Sequence, residues 1–183
     1  MSHDPPRKKS RGVRRLLLSF SCALVWLTAL VVPGLYERSF PDREPDISNV
    51  APDESLVVLY AARVPGTHIA DHGWFAIREQ GEWQRWEVWQ RAGGPHRHVR
   101  HDLLPAHRDV GDGGRRIIAL WRGEIARTFA ACITRESPAY RHRHRYLIWP
   151  GPNSNTYIAA MLEACGIDQE LPWSFYGAWV GWF

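Results

Sequence analysis

The longest uninterrupted apolar stretch of the chain, residues 16–33 (LLLSFSCALVWLTALVVP), carries no charged side chain. At about 1.5 Å rise per residue it nearly crosses a hydrocarbon core of about 30 Å, and extension through Gly34, Leu35 and Tyr36 completes the span. This predicts a transmembrane helix over 16–36. The pattern then changes. Residues 37–54 (ERSFPDREPDISNVAPDE) are rich in proline and charge and have neither a helical nor an alternating period, so they read as a linker. Beyond it, β-branched and aromatic runs at 56–62, 71–78, 83–90 and 115–121 each predict a strand. Between the third and fourth lies an irregular stretch of turn formers, with Gly93-Gly94, four histidines and Gly111-Asp112-Gly113-Gly114.

Ile125, Phe129, Cys132 and Ile133 recur at steps of three and four, predicting an amphipathic helix over 122–136 that ends at Ser137-Pro138. A short strand is expected over 145–149. Pro150-Gly151-Pro152 then turns the chain into a second helix, with Tyr157, Ile158, Met161, Leu162 and Cys165 on one stripe and Gly166 as its stop. The order β-β-β-β-α-β-α with short turns predicts an α+β domain over 55–183, a mainly antiparallel sheet with two packed helices. The final segment, 173–183 (WSFYGAWVGWF), has six aromatics and no charge. It reads as a last strand closing the core, with a membrane-interface segment as the alternative.

The net charge of +4 suggests nucleic acid until it is located along the chain. Residues 1–15 hold six Lys or Arg against Asp4, which is 6 − 1 = +5, so the remainder sums to 4 − 5 = −1. A slightly acidic body has no cationic excess to neutralise a phosphate backbone, and a nucleic-acid partner is not expected. The cluster instead abuts the apolar run. By the positive-inside bias, 1–15 is a cytoplasmic stub and 55–183 an extracytoplasmic domain, with the lipid bilayer as partner and an envelope substrate unknown in identity. A cleaved signal peptide is the alternative, although no A-x-A-like site follows the run. Cys22 sits inside the run as a small apolar side chain. Cys132 and Cys165 both fall on apolar helix faces, where either two buried thiols or a disulfide would fit.

The string Trp149-Pro-Gly-Pro-Asn-Ser-Asn-Thr-Tyr157 carries the chemistry. It passes a strand through a rigid turn into a helix with Ser154 at its entrance, where free N–H groups and the helix dipole stabilise a developing oxyanion. The same Asn153, Ser154 and Asn155 are also ordinary helix N-cap residues. A base is offered by His72. Period two puts His72, Trp74 and Ala76 on one strand face, and a hairpin turn at Gln80-Gly81 pairs Trp74 with Glu87, placing Glu87 diagonal to His72. That is where a carboxylate fixes an imidazole for general-base work. The candidate set is Ser154 as nucleophile, His72 as base and Glu87 as orienter, with Trp74, Asn153 and Asn155 toward the substrate. No cofactor and no metal are expected, because arginines are interleaved with His96, His98, His101, His142 and His144 and oppose a divalent cation. Arg141 to Arg145 could instead meet anionic lipid or polymer, a solvated strand edge being the plainer reading.

Trp86-Glu-Val-Trp89, His72 with Trp74, and above all the Pro-Gly-Pro-Asn-Ser-Asn-Thr string resemble the signature of a bacterial family catalogued as domain of unknown function 3750, over roughly Val57 to Pro172. That resemblance brings no activity with it. A more distant similarity is to circularly permuted papain-like domains of the NlpC/P60 and lecithin-retinol acyltransferase type, in which a strand His and a polar partner precede an Asn-Cys at a helix start. It implies a permuted papain-like fold and acyl chemistry, with Ser154 in place of the cysteine. A thiol readily forms an ion pair with histidine, whereas a serine needs general-base help throughout attack. The functional expectation is a serine-based hydrolase or acyl transferase acting on an amide or ester; the alternative is a non-catalytic envelope or lipid-binding domain.

Overall fold

The computed structural model describes residues 50–64, 67, 70–110 and 114–180. The basic stub, the apolar run 16–36 and most of the linker lie outside the described residues. Among those described, no helix is long and apolar enough to cross a membrane.

Among the described residues, five strands form one antiparallel sheet: β1 (Leu56–Arg63), β2 (Asp71–Glu79), β3 (Glu82–Val88), β4 (Val99–His101) and β5 (Arg115–Arg122), in the order β4-β3-β2-β1-β5. The β2–β3 hairpin turns at Gln80 and Gly81, both at positive φ (53° and 84°), the arrangement that matches the twist of a two-residue hairpin. Its register is the one expected from the turn, with Trp74 opposite Glu87.

Alternation sorts the sheet into two faces. Val57, Leu59, Ala61, Phe75 and Ile77 pack under the helices against Phe129, Ile133, Tyr157 and Ile158. Val58, Tyr60, Ala62, Trp74 and Ala76 point the other way, where the connection from β4 to β5 covers them through Ala106. Both faces are buried, which is why β1 reads as a nearly continuous apolar run.

The chain passes from β5 straight into α1 (Gly123–Glu136), which a 3₁₀ turn (Ser137–Ala139) ends. Its buried stripe is Ala126, Phe129, Ala130, Cys132 and Ile133, whereas Ile125 is 61% exposed. The sequence stripe is therefore rotated: small alanines, not the larger Ile125, face the sheet. The second helix, α2 (Ser154–Ala164), buries Tyr157, Ile158, Met161 and Leu162. It stops in a Schellman arrangement, with Gly166 N–H donating to the Glu163 carbonyl and Ile167 N–H to that of Leu162. Gly73 on β2 permits its close approach. A Cβ there would lie 2.7 Å from Phe175 and 3.1 Å from Ile158.

Two expectations change. Residues 145–149 are irregular, with bends at 148 and 149, and not a strand: the Leu147 N–H turns back to the Pro152 carbonyl, and the Arg143 carbonyl is used by His98 N–H. The short β4 takes the sheet edge instead, through Val99. Residues 173–180 of the C-terminal segment are not a strand; they wind through turns with Ser174, Phe175 and Ala178 inside and Trp173 and Trp179 outside, and 181–183 lie outside the described residues. The open question of the cysteines resolves as a disulfide, Cys132–Cys165, joining α1 to the end of α2.

Candidate functional site

His72, at the beginning of β2, hydrogen-bonds through Nε2 to Glu87 Oε2 at 2.9 Å. The cross-strand diagonal brings them together. The same carboxylate oxygen accepts from Arg85 Nη2 at 2.7 Å, and both Arg85 and Glu87 are fully buried. Arg85 in turn lies 4.2 Å from the Trp74 ring and donates to the carbonyls of Arg108 (2.7 Å) and Pro105 (3.3 Å). Burial by itself would push the Glu87 carboxyl up, but the hydrogen bond and charge of His72, together with the Arg85 guanidinium, hold it below its ordinary value. Burial pulls the Arg85 guanidinium down, against the pull of Glu87.

With an ionised carboxylate as acceptor, Nε2 carries the imidazole proton. In the neutral ring Nδ1 is then the nitrogen with the free lone pair, the one able to take a proton from a nucleophile. The ring is seated against Trp89 and Trp74, at centroid distances of 5.1 and 6.1 Å.

At the head of α2, Asn153 is the N-cap. Its Oδ1 accepts from the N–H groups of Asn155 (3.0 Å) and Thr156 (3.1 Å), and Thr156 Oγ1 accepts the Asn153 N–H to close a capping box. Ser154 is thereby released from capping. Its hydroxyl makes no hydrogen bond among the described residues, and its N–H likewise finds no acceptor there. That donor sits at the positive end of the helix, oriented by the same turn that positions the hydroxyl.

A cleft of about 510 Å³ joins the two elements, with His72, Trp89, Asn153, Ser154, Asn155 and Tyr176 among its lining residues. His72 and Ser154 thus share one cavity, and no hydrogen bond joins them. Trp74 does not line it: the ring is buried, with Nε1 donating to the Ala106 carbonyl at 2.9 Å. Asn153 spends its amide on the carbonyls of Ile148 and Tyr176. Asn155 donates to the carbonyls of Asp71 and Tyr176, while its buried Oδ1 has no donor among the described residues.

Two groups escape a reading by motif. Arg85 shares the alternation that places Glu87, and that period was the available signal. Asp71, also on the cleft, is buried between Arg63 and Arg116, and Arg116 reaches on to Ser174 Oγ. Nothing in the sequence links residues this distant. Among the described residues no group of three or more His, Cys, Asp or Glu is placed to hold a metal ion. His98 Nδ1 donates to the Trp89 carbonyl, and His101 meets Gln84.

No curated protein and no solved structure matches the chain. A family model described as protein of unknown function (DUF3750) matches residues 54–178, from the end of the linker to the last buried turn. The match takes in every strand and both helices of the described residues and all the residues of the cleft, and on it the chain belongs to the DUF3750 family.

Proposed function

We propose that this domain is a serine-based hydrolase or acyl transferase acting on an amide or ester, with Ser154 as nucleophile, His72 as base and Glu87 as orienter. The observation that carries the reading is the buried His72–Glu87 hydrogen bond at the cleft that Ser154 also lines. Ser154 Oγ would attack the carbonyl carbon as its proton passes to His72 Nδ1. The tetrahedral oxyanion would then meet the Ser154 N–H and the helix dipole. Collapse expels an alcohol or amine, which takes the proton from His72, and leaves an acyl-serine for water or an acceptor hydroxyl to resolve. This step needs Nδ1 and Oγ to close to about 3 Å, a contact that free enzymes often leave long. The order His72, Glu87, Asn153-Ser154 supports the permuted papain-like reading.

The Cys132–Cys165 disulfide supports an oxidising compartment, and hence an envelope protein anchored by residues 16–36 with the domain outside the cytoplasm. The second reading, a non-catalytic envelope or lipid-binding domain, is favoured by one observation: the Asn153 capping box accounts for the Asn-Ser-Asn string without chemistry.

Turnover of activated esters of graded acyl length separates the two. The catalytic reading predicts that Ser154→Ala and His72→Ala each lower kcat/KM by at least about 10³-fold. Equal residual turnover in wild type and both variants would favour the binding domain.

A further inference from the structure

Three tryptophans stand on the surface instead of entering the core: Trp149 is 57% exposed, Trp173 62% and Trp179 45%, and Ile148 (69%) and Val180 (40%) extend the same strip. Ring contacts join them through Tyr176. Centroids lie 6.0 Å apart for Trp149 and Tyr176, 5.9 Å for Tyr176 and Trp179, and 5.2 Å for Trp173 and Trp179. Single exposed apolar residues are ordinary on soluble domains, whereas a contiguous strip of them marks a surface that meets something.

Two features identify the occupant. Trp and Tyr are the side chains favoured where headgroups meet acyl chains, because each has an apolar body and a polar edge. Arg141, Arg143 and Arg145 run directly into Ile148 and Trp149, and at no more than about 3.6 Å per residue the Arg145 backbone lies within about 15 Å of that of Trp149. Asp168 and Glu170, on the approach to Trp173, are outnumbered by these cations. The flank therefore suits anionic headgroups, each nearby Lys or Arg contributing about 1 kcal/mol at such a surface. Ile148 and Tyr176 also line the cleft, so the strip borders its mouth.

We propose that this strip seats the domain in the interfacial layer of an anionic phospholipid bilayer, with the cleft opening at the lipid surface. If residues 16–36 anchor the chain, the tether permits it. The linker reaches the sheet at Leu56, whereas His72 pairs near the far end of β1, opposite Ala62. A fully extended stretch the length of residues 37–49 spans about 45 Å, more than the roughly 26 Å of an eight-residue strand, so the far end can fold back to the same membrane. The inference holds whether or not Ser154 is a nucleophile.

The test uses the full chain with Trp26→Phe, reconstituted in phosphatidylglycerol liposomes whose acyl chains are either plain or brominated near the headgroup. Bromine should quench the tryptophan emission, and adding Trp149→Ser, Trp173→Ser and Trp179→Ser should remove at least about half of the quenched component. Trp173→Ser alone, the mildest change, should remove part of it. A urea midpoint matching the parent establishes that each variant is folded. The same quenched fraction in all variants, or no quenching at all, would overturn the proposal. Equal quenching in phosphatidylcholine would overturn its anionic part. Because the readout is fluorescence, it does not depend on any activity at Ser154.

Discussion

Ser154 and Asn153 are neighbours with separable jobs. Asn153 holds two N–H groups of α2 and two carbonyls of the surrounding turns, so Asn153→Ala removes a cap and leaves two buried N–H donors behind. Thermal or urea unfolding should show a loss of about 1–2 kcal/mol or more. Ser154→Ala removes a hydroxyl with no partner among the described residues and should change stability by less than about 0.5 kcal/mol. The opposite ranking would return Ser154 to the cap. Glu87 sets a pH dependence with a definite sign. Its folded-state pKa lies below the ordinary value, so its contribution is fully present above about 4.5 and is lost as pH falls through the lower folded value. A plot of urea midpoint against pH should therefore drop on its acid limb, and Glu87→Gln should flatten that limb while lowering stability above it, since Arg85 is then left buried without its counter-charge. The His72–Glu87 contact was legible because two rules, period two and a two-residue turn, suffice to compute it. The burial of Arg85 was not, because it depends on residues 102–110, which have no period and fold over the sheet only in three dimensions.

Elements with a strong period were read closely. The four longer strands and both helices appear within one or two residues of expectation at almost every end, while the aperiodic parts moved: 145–149 is irregular instead of a strand, and β4 formed from three residues. The amphipathic period located α1 but not its rotation, because Ile125 satisfies the spacing yet faces away from the sheet. The disulfide binds this helical layer, closing a loop of 33 residues between α1 and α2. The chain-entropy account gives about 3–4 kcal/mol for such a loop. Cys165→Ser should lower the unfolding free energy by an amount of that order, measured by urea titration, and Cys132→Ser should match it. A loss much below about 1 kcal/mol would mean that packing alone already holds α2 on the sheet.

At the scale of the whole molecule, the sheet delivers His72 from one of its faces and the helical layer delivers Ser154 from the other side, and the cleft lies where the two meet. Gly73 and the Asn153 cap fix that junction from its two sides, which accounts for how a strand residue and a helix start 82 positions apart come to share one cavity. Of the residues singled out by pattern, His72, Asn153, Ser154 and Asn155 line the cavity and Trp74 does not; its other walls and the aromatic strip beside it are set by how loops settle on the finished core.

The most direct measurement is intact-protein and peptide mass spectrometry after treatment with a fluorophosphonate, which an activated serine attacks with loss of fluoride. The account predicts one phosphonyl adduct on the peptide containing Ser154, absent in Ser154→Ala and strongly slowed in His72→Ala. A reactive probe that leaves Ser154 unmodified, or labels it equally well without His72, would contradict it.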